Sequence, residues 1–209
     1  REVISARSNG RFINSNCVHW KSIMSSSDPL YLEAINSFRE KFSRVAETGV
    51  REPAAMSLST VGRNGQPSVR TVLLRGIDER GFVFFTNSES RKGGQLAENP
   101  HAGLCFYWDQ WAEQVHVEGP VERLSDSESD DYWKSRRRLS QIGAWASDQS
   151  RTLDSHQTLL DRVAEFEKKF DGQEVPRPPH WYGFRVVPDR IELWCGREGR
   201  LHERWVYEL

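Results

Sequence analysis

Between Ala55 and Leu124 the chain is cut by turn chemistry into short alternating segments, and this pattern limits the possible folds most. Met56-Ser57-Leu58-Ser59-Thr60-Val61 alternates apolar and polar side chains and predicts a strand from Ala55. Arg63-Asn64-Gly65-Gln66-Pro67 has the residues of a hairpin turn. Residues 68–75 predict a second strand, 77–81 a turn and 82–86 a third strand. A short helix over 90–98, ended by Asn99-Pro100, leads to two longer strands over 102–108 and 114–124. Gly119-Pro120 predicts a bulge or bend within the second. Serial hairpins followed by long strands point to an antiparallel barrel or sandwich.

The flanks are helical. Asp28 or Ser27 can cap a helix with Pro29 in its first turn, and Glu52-Pro53 would end it. Leu32, Ile35, Phe38, Phe42 and Val45 recur at three and four residues, an amphipathic stripe for a core. Helices are predicted again over 126–135, 140–149 and 153–170, then a Pro-rich loop, then strands over 182–187, 191–195 and 200–207. Hydrophobic residues make up 37% of the chain, but eight Trp and ten Phe enlarge the area available for burial. The expected fold class is α+β, mainly β, with one domain over residues 28–209. Residues 1–27 carry Arg1, Arg7, Arg11 and Lys21 against Glu2 and are rich in Ser and Asn, which predicts a flexible or leader-like arm.

Several function classes are excluded. The 29 basic and 30 acidic residues nearly cancel, so the broad positive field of a general nucleic-acid binder is missing. No apolar run approaches the roughly 18 residues of a membrane helix. Cys17, Cys105 and Cys195 form no CxxC motif or disulfide framework, which predicts a reducing, cytoplasmic setting and a small buried role for Cys105. His19, His101, His116, His156, His180 and His202 are scattered without metal-ligand spacing, so no metal is expected. GxSxG, P-loop and GxGxxG motifs are absent.

What remains points to bound anions. Arg70-Thr71-Val72-Leu73-Leu74-Arg75 has a cation at each end of an apolar run. Thr86-Asn87-Ser88-Glu89-Ser90-Arg91-Lys92-Gly93 sets hydroxyls and two cations at a strand-to-helix junction, where free N–H groups suit a phosphate. Ser135-Arg136-Arg137-Arg138-Leu139-Ser140 is a third cationic cluster. Trp108, Gln114, Trp145 and Trp194 lie near predicted strand ends, where flat faces and an amide suit a planar ring. Arg200, His202 and Arg204 would share one face of a terminal strand, an arrangement costly to bury without an anion.

In these segments the chain resembles the pyridoxine (pyridoxamine) 5′-phosphate oxidase family of FMN enzymes. The resemblance runs over residues 70–76, 84–93, Asn99-Pro100, 114–119, 140–150, 174–178, 191–194 and 200–204, in family order. It implies an FMN-binding split β-barrel with peripheral helices, a homodimer with two FMN sites at the subunit interface. It also implies oxidation of pyridoxamine or pyridoxine 5′-phosphate to pyridoxal 5′-phosphate by hydride transfer to flavin N5, with O2 reoxidising the flavin to give H2O2. By motif position, Arg70, Thr71, Val72, Leu73, Leu74, Arg75, Phe85, Thr86, Arg91, Lys92, Gln149 and Ser150 would bind FMN. Gln114, Trp194 and Arg204 would lie near its ring. Arg75, Tyr132, Arg136, Ser140, Arg200, Leu201 and His202 would bind the substrate, with Arg200 and His202 as the catalytic pair. His202 would act as a proton acceptor or an orienting group.

The chain departs from the family pattern at several positions. Arg75 stands for the usual Lys, Arg137 for Pro, Glu113 for Arg, Cys195 for Gln and Glu203 for Asp. The arm lacks the family's substrate-covering Arg and Tyr motif. Two alternatives accompany the resemblance: an FMN oxidase of another aromatic, as in phenazine biosynthesis, and a non-catalytic FMN or pyridoxal phosphate binder.

Overall fold

A computed structural model describes residues 28–208, together with the backbone of residues 11–12. The remainder of the 1–27 arm lies outside the described residues. Helix α1 (Pro29–Glu47) starts where the sequence predicts: Asp28 caps it by accepting from the Leu30 N–H at 2.8 Å. It ends at Glu47, ahead of the Glu52-Pro53 stop. Its inward face, Tyr31, Ala34, Ile35, Phe38 and Val45, is buried, while Leu32 and Phe42 pack at the margin. Phe38 fills the barrel, 4.9 Å centroid to centroid from both Phe82 and Phe106.

The strands follow in chain order: β1 (Arg11–Phe12), β2 (Ala55–Val61), β3 (Pro67–Leu73), β4 (Gly76–Asp78), β5 (Gly81–Asn87), β6 (His101–Trp108), β7 (Glu113–Arg123), β8 (Trp181–Val186), β9 (Arg190–Cys195) and β10 (Glu203–Glu208). The path β1-β10-β9-β7-β6-β2-β3 is joined to β4-β5-β8 through β7, and every pairing is antiparallel. β7 pairs β9 up to Glu118 and β8 from Val121. The predicted bend at Gly119-Pro120 is this crossover. A Cβ at Gly119 would run into the Val187 carbonyl oxygen, so only glycine fits. The result is a β-barrel split between two strand groups that share β7.

Helices α2 (Arg91–Glu98), α3 (Asp126–Ser135), α4 (Arg138–Ala146) and α5 (His156–Lys169) lie at the periphery. A second apolar cluster of Trp133, Ile142, Phe170, Val175 and Trp181 joins α3, α4 and the Pro-rich loop to β8. Among the described residues no helix is long and apolar enough to cross a membrane.

Some sequence expectations are corrected. The terminal strand begins at Glu203, whose first partner is Cys195, and not at Arg200. Gly199 and Arg200 are both left-handed, at φ 63° and 62°, so the chain turns there. Arg200, His202 and Arg204 therefore do not form a period-two strand face. Ile77-Asp78, expected in a turn, pair with Phe82 and Gly81 as β4. Gln149 and Ser150 lie beyond α4 in a turn, with Ser150 at φ 71°. α5 starts at His156, not near Leu153. Trp108 is a core residue whose indole N–H donates to the Pro53 carbonyl at 3.1 Å. Trp145 packs on Phe166 and Phe170 and donates to the Pro176 carbonyl. Cys105 is only half-buried.

Candidate active site

A cavity of about 880 Å³ opens between β3, β5 and the α3–α4 region. That is large enough for a ring cofactor and a small substrate together. Its lining includes Arg70, Thr71, Val72, Leu73, Arg75, Phe85, Thr86, Lys92, Tyr132, Arg136, Ser140 and Gln149. Residues far apart in the chain, assigned on different motifs, thus meet in one place.

Each cationic side chain arrives from a defined element. Arg70 lies on β3, and its guanidinium donates to Leu58 O at 3.1 Å, Thr60 Oγ1 at 2.6 Å, Ser68 Oγ at 2.7 Å and Gln95 Oε1 at 3.3 Å. All four acceptors are neutral. Lys92 sits in the first turn of α2 and is buried. Its ammonium donates to Thr86 Oγ1 at 3.1 Å, Ser90 Oγ at 3.3 Å and Gln149 Oε1 at 2.6 Å, again all neutral. Burial, with the Arg70 charge behind it, pulls the Lys92 pKa down to about 8. Burial and the neighbouring Arg91 likewise hold Arg70 below its ordinary value.

At the α3–α4 junction, Arg136 is held below its ordinary value by burial, against a raising influence of Tyr132, with Arg75 adding a like charge. Its guanidinium lies 4.5 Å from the Trp181 ring centroid and donates to Ser140 O at 3.1 Å. Phe85, Tyr132 and Trp181 stack as a wall, with Phe85 4.0 Å from Tyr132 and 5.1 Å from Trp181.

Other cations with little exposure, such as Arg177 and Arg185, are neutralised within the fold. Arg177, Arg185, Arg190 and Arg197 all pair with carboxylates. Among the described residues, Arg70, Arg75, Lys92 and Arg136 have no such partner. The lining contains one carboxylate, Glu52, which is exposed. Two groups of like charge held together without anions form a site that an anion would complete. The donor set fits a phosphate at Arg70 and Lys92 and a second one at Arg75 and Arg136.

The other predicted residues lie elsewhere. Leu74 is in the core, its N–H on the Ala54 carbonyl. Arg91 and Ser150, beside Lys92 and Gln149 in the chain, are exposed and outside the lining. Gln114, Trp194 and Arg204 form one row across β7, β9 and β10, because Trp194 registers with both of the others. The His202 ring lies 4.7 Å from the Trp194 ring, and Arg200 and Leu201 lead into it, exposed. This second cluster also falls outside the cavity lining.

Asn87 and Ser135, which lie in two of the predicted anion-binding segments, also line the cavity, whereas sequence reasoning missed Trp181 and Ser147 in the lining, and Thr60, Ser68 and Gln95 behind Arg70. Trp181 follows Pro178-Pro179-His180, where a strand start is legible but not the neighbour it stacks on. Gln95 had no signal beyond its place on α2. The hydroxyls of the 86–93 junction also divide their work. Ser90 caps α2 by accepting from the Gly93 N–H, and Ser88 donates to the His180 carbonyl, while Thr86 reaches the cavity.

Comparison with known proteins accords with this geometry. The family profile "Pyridoxamine 5′-phosphate oxidase" matches residues 42–170, and "Pyridoxine 5′-phosphate oxidase C-terminal dimerisation region" matches residues 181–209. A pyridoxine/pyridoxamine 5′-phosphate oxidase of Myxococcus xanthus is 56% identical over 175 residues, 84% of this chain and 85% of the relative. The corresponding protein of Alkalilimnicola ehrlichii is 54% identical over 178 residues, 84% of this chain and 91% of the relative. Among solved structures, PhzG from Burkholderia lata 383, in complex with tetrahydrophenazine-1-carboxylic acid, superposes with a TM-score of 0.80 at 33% identity. The match covers 87% of this chain and 91% of that one. A pyridoxamine 5′-phosphate oxidase-related, FMN-binding protein of Nostoc punctiforme shares the fold at a TM-score of 0.66 and 17% identity, over 88% of this chain and 93% of that one. The barrel, the cation-lined cavity and the two profile matches over most of its length agree: this chain belongs to the pyridoxamine 5′-phosphate oxidase family.

Proposed function

We propose that the protein is an FMN-dependent oxidase that converts pyridoxamine or pyridoxine 5′-phosphate to pyridoxal 5′-phosphate. The observation that carries this reading is the cavity with two separate groups of cations and no paired carboxylate. Relatives of that activity at 50–56% identity support it. Bound FMN would supply a two-electron acceptor that takes hydride from the substrate and is reoxidised by O2 to give H2O2.

The residues divide by task. Arg70, Lys92, Thr86 and Gln149 hold the flavin phosphate, with Arg91 and Ser150 at its outer side. Thr71, Val72, Leu73 and Phe85 line the cavity beside them, and Leu74 and Arg75 continue that run of backbone. Arg75, Tyr132, Arg136 and Ser140 hold the substrate phosphate. This anchor is remote from the reacting carbon, so its binding energy goes into orientation.

The second cluster supplies the rest from a second copy of the chain. Gln114, Trp194 and Arg204 would face the flavin ring, and Arg200, Leu201 and His202 the substrate ring, across a homodimer interface. The match of residues 181–209 to a dimerisation region supports this arrangement.

The similarity to PhzG favours a second reading, oxidation of a non-phosphorylated aromatic acid. Arg75, Arg136 and Ser140 around one end of the cavity favour the phosphorylated substrate. Oxygen uptake by the purified protein decides between them. Pyridoxamine 5′-phosphate should be oxidised at least tenfold more efficiently than pyridoxamine, because a charge-assisted phosphate contact is worth about 1.5–3 kcal/mol. A flavin-loaded protein inert to pyridoxamine 5′-phosphate contradicts the reading.

A further inference from the structure

Residues 197–204 fold back on themselves around His202. The Arg197 backbone N–H donates to His202 Nδ1 at 3.1 Å. The Arg197 guanidinium is held in turn by both oxygens of Glu203, Nε to Oε1 at 2.9 Å and Nη2 to Oε2 at 3.1 Å. The left-handed pair Gly199 and Arg200 closes the loop that brings residue 197 back to residue 202. On its other side the imidazole lies against the Trp194 ring, tilted by 49°.

A backbone N–H can only donate, so His202 Nδ1 must accept. In the neutral ring the proton is then on Nε2. A proton on Nδ1, in the other neutral tautomer or in the doubly protonated ring, would point at the Arg197 N–H. Two donors would then face each other across the 3.1 Å contact. The loop thus favours the tautomer with Nδ1 free to accept and the hydrogen on Nε2.

We infer that Arg197 and Glu203 are positioning residues that fix His202 as a neutral Nε2–H imidazole, so that His202 donates a hydrogen bond to its ligand instead of accepting a proton from it. The inference rests on the reading above that His202 faces the substrate ring. The complementary group is an electron-rich oxygen or nitrogen at the edge of that ring, which the donor orients and polarises. Glu203 acts only through Arg197, and Arg197 only through its main chain.

The test reads the ring directly. In protein labelled with 15N-histidine, two-bond 1H–15N correlation of the resting holoenzyme should show a pyridine-type Nδ1 and a pyrrole-type Nε2 for His202. The signal is assigned by its loss in His202→Gln. Arg197→Ala and Glu203→Ala should give mixed tautomers at unchanged flavin content, and Glu203→Asp should restore the single form. In turnover, His202→Gln, whose amide can donate from the Nε2 position, should exceed His202→Asn in kcat/KM by about tenfold, the worth of one hydrogen bond. A pyrrole-type Nδ1 in the unaltered protein, or His202→Gln no better than His202→Asn, overturns the inference. The tautomer is read without turnover, so an inert protein with an Nε2–H ring would contradict the proposed activity and leave this assignment standing.

Discussion

Lys92 shows what a single residue contributes. Its ammonium is buried among three neutral oxygens with Arg70 close by, and its pKa falls to about 8. The charged form is disfavoured by burial beside Arg70, so an arriving phosphate raises the pKa again. The sign follows. Phosphate affinity is full below pH 8 and declines as pH rises through 8, by up to tenfold per unit, because a proton must be taken up on binding. FMN titrations of the apoprotein between pH 6.5 and 9.5 should show this decline. In Lys92→Met it should vanish, with affinity lowered roughly ten- to hundredfold by loss of a charged hydrogen bond. At the other cation group, Arg136→Ala should raise KM for pyridoxamine 5′-phosphate by a similar factor of roughly ten to a hundred and leave bound flavin unchanged. Steady-state kinetics with flavin absorbance reads both.

Among elements, legibility in the sequence tracked local chemistry. The Asp28–Pro29 helix start, the β2–β3 hairpin and the Gly119 crossover are set by caps, turn residues and a missing side chain, and all are found where the sequence predicts them. The loop before β10 was not legible. Arg200 adopts a left-handed backbone that is uncommon for a non-glycine residue, and alternation alone reads the stretch as strand. The site was legible as three cationic motifs, but not the register that aligns Gln114, Trp194 and Arg204, since pairing partners are non-local. Two substitutions test the packing. Phe38→Ala, in the fully buried centre, should cost about 3–5 kcal/mol in denaturant unfolding. Gly119→Val should destabilise by about 1–3 kcal/mol or more, because its side chain meets the Val187 carbonyl at the strand crossover. Unfolding midpoints unchanged from the parent would contradict both.

For the whole molecule, the arrangement leaves one chain with two incomplete halves. The cavity with Arg70, Lys92, Arg75 and Arg136 is one, and the row of Gln114, Trp194 and Arg204 with His202 is the other. In the proposed two-fold dimer, the second half of each subunit would meet the cavity of its partner. The central claim is therefore that the site is assembled between copies, and subunit mixing tests it most directly. Assayed at substrate well below KM, where the raised KM of Arg136→Ala appears as lost rate, Arg136→Ala and Arg204→Ala homodimers should each be nearly inactive. Unfolded together and refolded in equal amounts, they should regain about one quarter of the unaltered activity. Half the dimers are then mixed, and each mixed dimer has one site free of both substitutions. Mixtures no more active than the separate variants would show that each site is built from a single chain, contradicting the account.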